Sequence, residues 1–318
     1  MDNDRAGAQG SQPPVVVAVV GPTAAGKTEL SLDLAERLGG EVVNTDAMQV
    51  YRGMDIGTAK LPASERRGIP HHLLDVLDVR QPATVADFQA RARAVVADCR
   101  TRGVTPVLVG GSALYTRAVL DRFEFPGTDP SLRAALERDL AAVGAASLHA
   151  RLRAVDPQAA AGIQPGNGRR VVRALEVVTL TGRPFAATLP EPSYVLRPTV
   201  QVGVRIPRPV LDQRIELRVQ RMWEAGLVEE VRSLAAAGLR DGRTASRALG
   251  YHQVLAFLDG ELTEQQALEQ TVTGTRRFSR RQLGWFEKDP RVTWVDWDAP
   301  DRVTLALEAV TAAGAAPH

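Results

Sequence analysis

Two kinds of segment alternate along most of this chain. Residues 15–20 (VVVAVV) form an unbroken apolar run rich in β-branched side chains, as in a strand buried on both faces. A glycine-rich turn follows. Leu30, Leu34 and Leu38 then recur at helical spacing up to Gly39-Gly40, a helix stop. Residues 41–44 predict a second strand, with a long loop through Lys60 after it, and residues 73–76 predict a weaker one. Residues 84–101 carry a helical pattern, and 106–109 a further buried strand ending in Gly110-Gly111. Strands and helices in this order predict right-handed βαβ units and a parallel sheet.

From 121 to 198 the pattern is helical and alanine-rich, punctuated by Pro126, Pro130, Pro157 and Pro165, with a proline-rich stretch at 184–198. This reads as a helical insertion. A strand resumes at 200–206, helices fill 208–285, and 292–295 and 302–313 predict a last strand and helix. Thr263 and Gln266 have the spacing of a capping box at the start of a long helix. Residues 1–14 are polar and aperiodic, a loose tail. The expected fold is therefore α/β: a parallel sheet flanked by helices over 15–120 and 199–318, with a helical insertion domain at 121–198.

Composition narrows the class. The 318 residues are 44% hydrophobic and 24% charged, which excludes a disordered chain. No apolar run approaches the ~20 residues of a membrane span. The run at 15–20 has no small-residue cleavage site after it. A soluble cytoplasmic protein is expected, with no membrane and no obligate protein partner. The single cysteine, Cys99, excludes an internal disulfide and a cysteine-rich zinc site. Charge is uneven: the first 150 residues carry 16 Lys and Arg against 18 Asp and Glu, the remainder 23 against 19. Only Lys27, Lys60 and Lys288 are lysines, so arginine abundance means little and arginine clustering means more. Arg276, Arg277, Arg280 and Arg281 form such a cluster, one basic helical stripe with no acid in it. Like charges at i, i+4 repel, and an RNA backbone would relieve that repulsion; carboxylates from elsewhere in the fold would do so equally.

Candidate chemistry begins at Gly21, Pro22, Thr23, Ala24, Ala25, Gly26, Lys27 and Thr28, which match G-x-x-x-x-G-K-[ST] between a buried strand and a helix. Such a loop turns backbone N–H groups and a helix N-terminus toward phosphate oxygens. Lys27 supplies a point charge, and Thr28 a hydroxyl for a phosphate or a metal. A nucleotide hydrolase normally also has a strand ending in a metal-binding Asp. Here the best candidate strand ends in Gly110-Gly111-Ser112, with Leu73-Leu74-Asp75 a thinner candidate, so the loop suits a diphosphate leaving group rather than ATP. Asp46 follows the second strand and faces the same crevice, where it could bind a metal, orient an amine or accept a proton. A helix N-cap or an Asx-turn suits its position equally.

The phosphate loop, NTDAMQVYRGMDIGTAK at 44–60, IPHHLLD at 69–75, LVGGSALY at 108–115, RALEV at 173–177, LDQRIELRV at 211–219, RALGYHQ at 247–253 and TRRFSRRQLGWF at 275–286 together resemble the bacterial tRNA dimethylallyltransferases, in the family's order. The resemblance spans about 15 to 297. It implies a P-loop NTPase-like core and transfer of a dimethylallyl group from dimethylallyl diphosphate to the 6-amino group of the adenine 3′ of the anticodon. It also implies that the backbone of 23–28, Lys27 and Thr28 hold the diphosphate with Mg²⁺ assisting at Thr28, that Asp46 accepts the amine proton, and that Arg214 stabilises the departing diphosphate. Without it, Arg214, Arg218 and Arg221 would read as a solvated or ion-paired helical stripe. The positions matching the family's tRNA contacts are Asp46, Ala47, Met48, Gln49, Ser112, Arg133, Asn167, Arg170, Arg247, Gly250, Tyr251, His252, Arg280, Arg281 and Gln282. The helical insertion would contact tRNA as well. Tyr251 and Trp285 could stack on a base, although lone aromatics at helical spacing usually pack in a core. His71, His72 and His252 have no evident metal-ligand partners. Competing readings are a small-molecule kinase, a prenyltransferase of free adenine nucleotides, and a non-catalytic RNA-binding module.

Overall fold

β1 (Val16–Val20) is buried at every position, and its side chains alternate between two cores. Val16, Ala18 and Val20 face one of them, Val17 and Val19 the other. The computed structural model describes residues 12–186 and 190–315. Among these, β1, β2 (Gly40–Asn44), β3 (His71–His72), β4 (Thr105–Gly110), β5 (Thr199–Arg205) and β6 (Val292–Asp296) form one all-parallel sheet in the order β3-β2-β4-β1-β5-β6. The chain builds out to one side of β1 and then returns to build the other. The carboxyl end of β1 is thus the topological switch point, where such sheets bind ligands.

On one face lie α2 (Val85–Thr101) and α3 (Ala113–Leu120), through Phe88, Val96 and Val119. The other face carries α1 (Lys27–Leu38) through Leu30 and Leu34. The first unit of the chain comprises the described residues up to Asp121 and those from Tyr194 onward. The second, Arg122–Ser193, holds α4 (Pro130–Val155), broken at Gly144, α5 (Pro157–Ala161) and α6 (Gly168–Thr181). These pack around Leu136, Leu152 and Val171. It ends short of the expected 198, because Tyr194 pairs with Asp121 and accepts from Gln201 of β5 through its hydroxyl. After β5 come α7 (Arg208–Glu224), α8 (Leu227–Ala236), α9 (Tyr251–Leu258), α10 (Glu264–Phe286) and, after β6, α11 (Arg302–Ala315).

The capping box at α10 is present: Thr263 Oγ1 accepts from Gln266 N–H at 3.2 Å, and Gln266 Oε1 from Thr263 N–H at 2.8 Å. The strand expected at 73–76 is displaced to His71–His72, which pairs with Val42 and Val43. Leu73 (φ 63°) and Asp75 (φ 58°) are left-handed, which breaks the extended run, and Leu73 is buried instead. Most of the expected loose tail lies outside the described residues, although Pro14 already accepts from Arg100 Nε at 3.0 Å. No helix among the described residues is long and apolar enough to cross a membrane.

Candidate functional site

The phosphate loop joins β1 to α1. Gly26 (φ 99°) caps the helix in the left-handed region with no side-chain cap, which leaves the first N–H groups of α1 for a ligand. Lys27 folds back over the loop and donates to the Pro22 carbonyl at 2.7 Å. Burial and the nearby Arg218 charge push its ammonium down to about 7, against the opposing pull of Asp46. The arginine stripe of α7 turns inward onto this loop. A Cβ on Gly26 would lie 4.0 Å from Arg214 Nη1. That Nη1 is buried with no hydrogen-bond acceptor among the described residues. Arg214 also stacks on Trp297, its guanidinium carbon 4.8 Å from the ring centroid. Arg218 is pushed below its ordinary value by burial, with Asp46 opposing the shift.

Between loop and helix lies a cavity of about 820 Å³. Ala24, Gly26, Lys27 and Thr28 line one side; Arg214, Leu217, Arg218, Arg221 and Met222 line another. A third wall comes from Asp55, Ile56, Ala59 and Lys60, which the sequence pattern did not single out as site residues. They lie inside the 44–60 block of the family resemblance, which gives residues 55–60 no role. Lys60 is not free to bind a ligand: its Nζ is engaged by the Tyr51 carbonyl, Asp55 and Asp75.

Asp46 forms the Asx-turn, Oδ1 accepting from Met48 N–H at 2.8 Å, while its Oδ2 has no partner among the described residues. Its charge reaches Lys27 and Arg218. β4 lies between β1 and β2, and its Gly110-Gly111 end is explained by close approach. A Cβ on Gly110 would sit 2.3 Å from Thr45 Oγ1, and one on Gly111 2.3 Å from Gln282 Nε2. A metal-binding aspartate has no room there. Gln282 Oε1 accepts from Thr23 N–H at 2.9 Å. Thr23 therefore does not present its N–H to a diphosphate in this structure, and Gln282 is buried against the loop rather than offered outward.

The other residues matched to tRNA contacts divide. Arg280 and Arg281 are exposed and, with Arg277, have no ion-pair partner among the described residues. Exposed Phe278 and Trp285 (51% exposed) accompany them on α10. Arg276 leaves the stripe, pairing with Glu216 of α7 at 2.6 Å. Arg247 and His252 are exposed, and Ser112 opens α3. Ala47 and Met48 pack against the core, and Gln49 donates to the Thr58 carbonyl at 3.1 Å.

Tyr251 is fully buried, its hydroxyl donating to Glu230 Oε1 at 2.6 Å, so it cannot stack on a base; Gly250 is buried beside it. In the second unit, Arg133 pairs with buried Glu176 at 3.0 Å, and Asn167 caps α6 by accepting from Arg170 N–H. His72 does gain partners. It lies 2.7 Å from Glu41 and near Cys99. Arg102, however, holds both Glu41 oxygens, at 2.8 and 2.7 Å, and the Cys99 thiol is pushed up to about 11, chiefly by burial. This is an ion-pair network rather than a metal centre.

The IPP transferase family profile matches residues 49–289. A tRNA dimethylallyltransferase of Nocardioides is 67% identical over 297 residues, covering 93% of this chain and 96% of the relative. Its Streptomyces coelicolor counterpart is 60% identical over 292 residues, covering 92% and 93%. Among solved structures, the Bacillus halodurans tRNA isopentenylpyrophosphate transferase superposes with a TM-score of 0.70 at 40% identity, covering 94% of this chain and 96% of that one. A eukaryotic dimethylallyltransferase acting on tRNA gives 0.77 at 27% identity, covering 89% and 74%.

Proposed function

This chain belongs to the IPP transferase family and is a prenyltransferase acting on tRNA, and from that premise we propose that it alkylates the 6-amino group of the adenine 3′ of the anticodon with dimethylallyl diphosphate bound between the phosphate loop and α7. The observation that carries the siting is Arg214 Nη1, a buried donor above Gly26 with no acceptor among the described residues. A buried unpaired guanidinium donor is costly, and a diphosphate oxygen would satisfy it.

The amine nitrogen attacks C1 of the dimethylallyl group as the C1–O bond to the diphosphate breaks, and the electron pair of that bond leaves with the diphosphate. Arg214, Lys27 and the N–H groups at the start of α1 meet the growing negative charge. The attacking nitrogen is a weak aromatic amine and must lose a proton as the C–N bond forms. Asp46 Oδ2, unpartnered here, accepts it. Apolar Ile56, Leu217 and Met222 in the cavity wall suit the hydrocarbon tail.

Magnesium fits this site through Thr28, an exposed residue with no side-chain hydrogen bond among the described residues, because Mg²⁺ is usually held by one or two protein oxygens with substrate phosphates and water. When bound it would neutralise diphosphate charge. Arg277, Arg280 and Arg281 with Phe278 and Trp285 supply charge and ring faces for an extruded loop of RNA. Cytoplasmic tRNA is the substrate pool this implies.

The test is transfer of label from dimethylallyl diphosphate with Mg²⁺, offering either an anticodon stem-loop or free AMP. Label in the stem-loop alone is expected. Label only in AMP, or ATP hydrolysis without transfer, would overturn the reading.

A further inference from the structure

The third wall of the cavity is a loop segment, and something must hold it. Between Met54 and Lys60 the chain makes no strand or helix. Three successive amides of this segment converge on one carboxylate of α8. Glu230 Oε2 accepts from Asp55 N–H at 3.1 Å and Ile56 N–H at 2.7 Å, and Oε1 accepts from Gly57 N–H at 3.2 Å. Consecutive amides turned to one side make an anion-binding nest, here filled from within the protein. Tyr251 completes the set by donating its hydroxyl to Oε1. Burial and the Glu230 charge push that hydroxyl far above its ordinary value, so it remains a donor. No cation pairs with Glu230 among the described residues, so hydrogen bonds alone balance its charge.

The fit is close on that side. A Cβ on Gly57 would lie 2.5 Å from the Tyr251 ring and 2.9 Å from Leu227 Cδ1, so only glycine lets the segment press onto α8 and α9. The opposite side of the same segment meets the site. Arg218 Nη2 donates to the Thr58 carbonyl at 3.4 Å, and Asp55, Ile56, Ala59 and Lys60 line the cavity.

We propose that Glu230 is a positioning residue for substrate binding: its carboxylate, oriented by Tyr251, fixes the 55–60 wall and through Thr58 aims Arg218 into the cavity. The tyrosine of the RALGYHQ block thus acts on the site from inside the core. The proposal rests on the siting of dimethylallyl diphosphate given above.

The experiment varies dimethylallyl diphosphate at saturating stem-loop for wild type, Glu230→Ala, Glu230→Gln and Tyr251→Phe. Glu230→Ala is expected to raise KM for the diphosphate about tenfold, with kcat within about threefold. Glu230→Gln keeps one acceptor oxygen and should fall between. Tyr251→Phe keeps all three amide bonds but removes the donor that orients the carboxylate, and should raise KM about threefold. Val310→Ala, a destabilising change on α11, is the control for lost stability and should leave KM unchanged. A wild-type KM in both Glu230 variants, or an equal rise in Val310→Ala, would overturn the proposal. Arg214→Ala, run in parallel, separates the two levels. If it binds dimethylallyl diphosphate as wild type does, the siting itself fails.

Discussion

Gln282 on α10 accepts the backbone N–H of Thr23 in the phosphate loop at 2.9 Å. The helix that carries the exposed arginines is therefore tied directly to the phosphate loop. Gln282→Ala would leave the Thr23 N–H unpaired and remove about 1 kcal/mol of stability, a fall of a few degrees in Tm. It should raise KM for dimethylallyl diphosphate more than KM for the stem-loop. Steady-state kinetics with each substrate varied in turn checks this, and an effect confined to the stem-loop would return Gln282 to RNA contact.

Asp46 spends one oxygen on its own turn, and the other has no partner among the described residues. Asp46→Asn preserves an oxygen for the Met48 N–H but cannot take up a proton. We expect kcat to fall by about 10²–10⁴ while diphosphate binding, measured by calorimetry, stays near wild type. Equal activity in this variant would remove Asp46 from the chemistry.

Lys27 provides a pH signature. With its ammonium held down to about 7, Lys27 is mostly neutral in the free enzyme at pH 8. A bound diphosphate favours the charged form and raises that value again. Binding at pH 8 should therefore take up close to one proton, and affinity should weaken as pH rises above about 7. Calorimetry in two buffers of different ionisation enthalpy measures the uptake. No dependence on buffer would mean that Lys27 is already charged before the ligand arrives.

Among the described residues Arg277, Arg280 and Arg281 lack carboxylate partners, whereas Arg276 is neutralised by Glu216. Replacing the first three by alanine should flatten the salt dependence of stem-loop binding, reducing the log–log slope by about 2, with KM for the diphosphate unchanged. Arg276→Ala should change the slope far less. Titrations at several salt concentrations distinguish the two, and equal slopes for all variants would exclude this helix face as a phosphate contact.

The phosphate loop, the capping box at Thr263 and the parallel sheet were legible in the chain because each is written in neighbouring residues. A strand, a glycine turn and a helix start occupy one short stretch, and periodicity reports burial within a single element. The expected strand at 73–76 failed on backbone conformation, since the left-handed Leu73 and Asp75 leave no mark in hydrophobicity. Arg214 was identified by resemblance. Spacing alone could not distinguish its inward face from a solvated one, because direction depends on what the helix packs against.

Tyr251 illustrates the same limit from the other side. An aromatic residue in a motif shows neither its burial nor its partner, and the fold alone puts its hydroxyl on Glu230. Likewise, α10 had to pack against α7 and α9 before Gln282 could reach Thr23. Local sequence thus determined which groups are candidates for the chemistry. Tertiary packing decided which of them face one cavity, because that depends on contacts between residues distant along the chain.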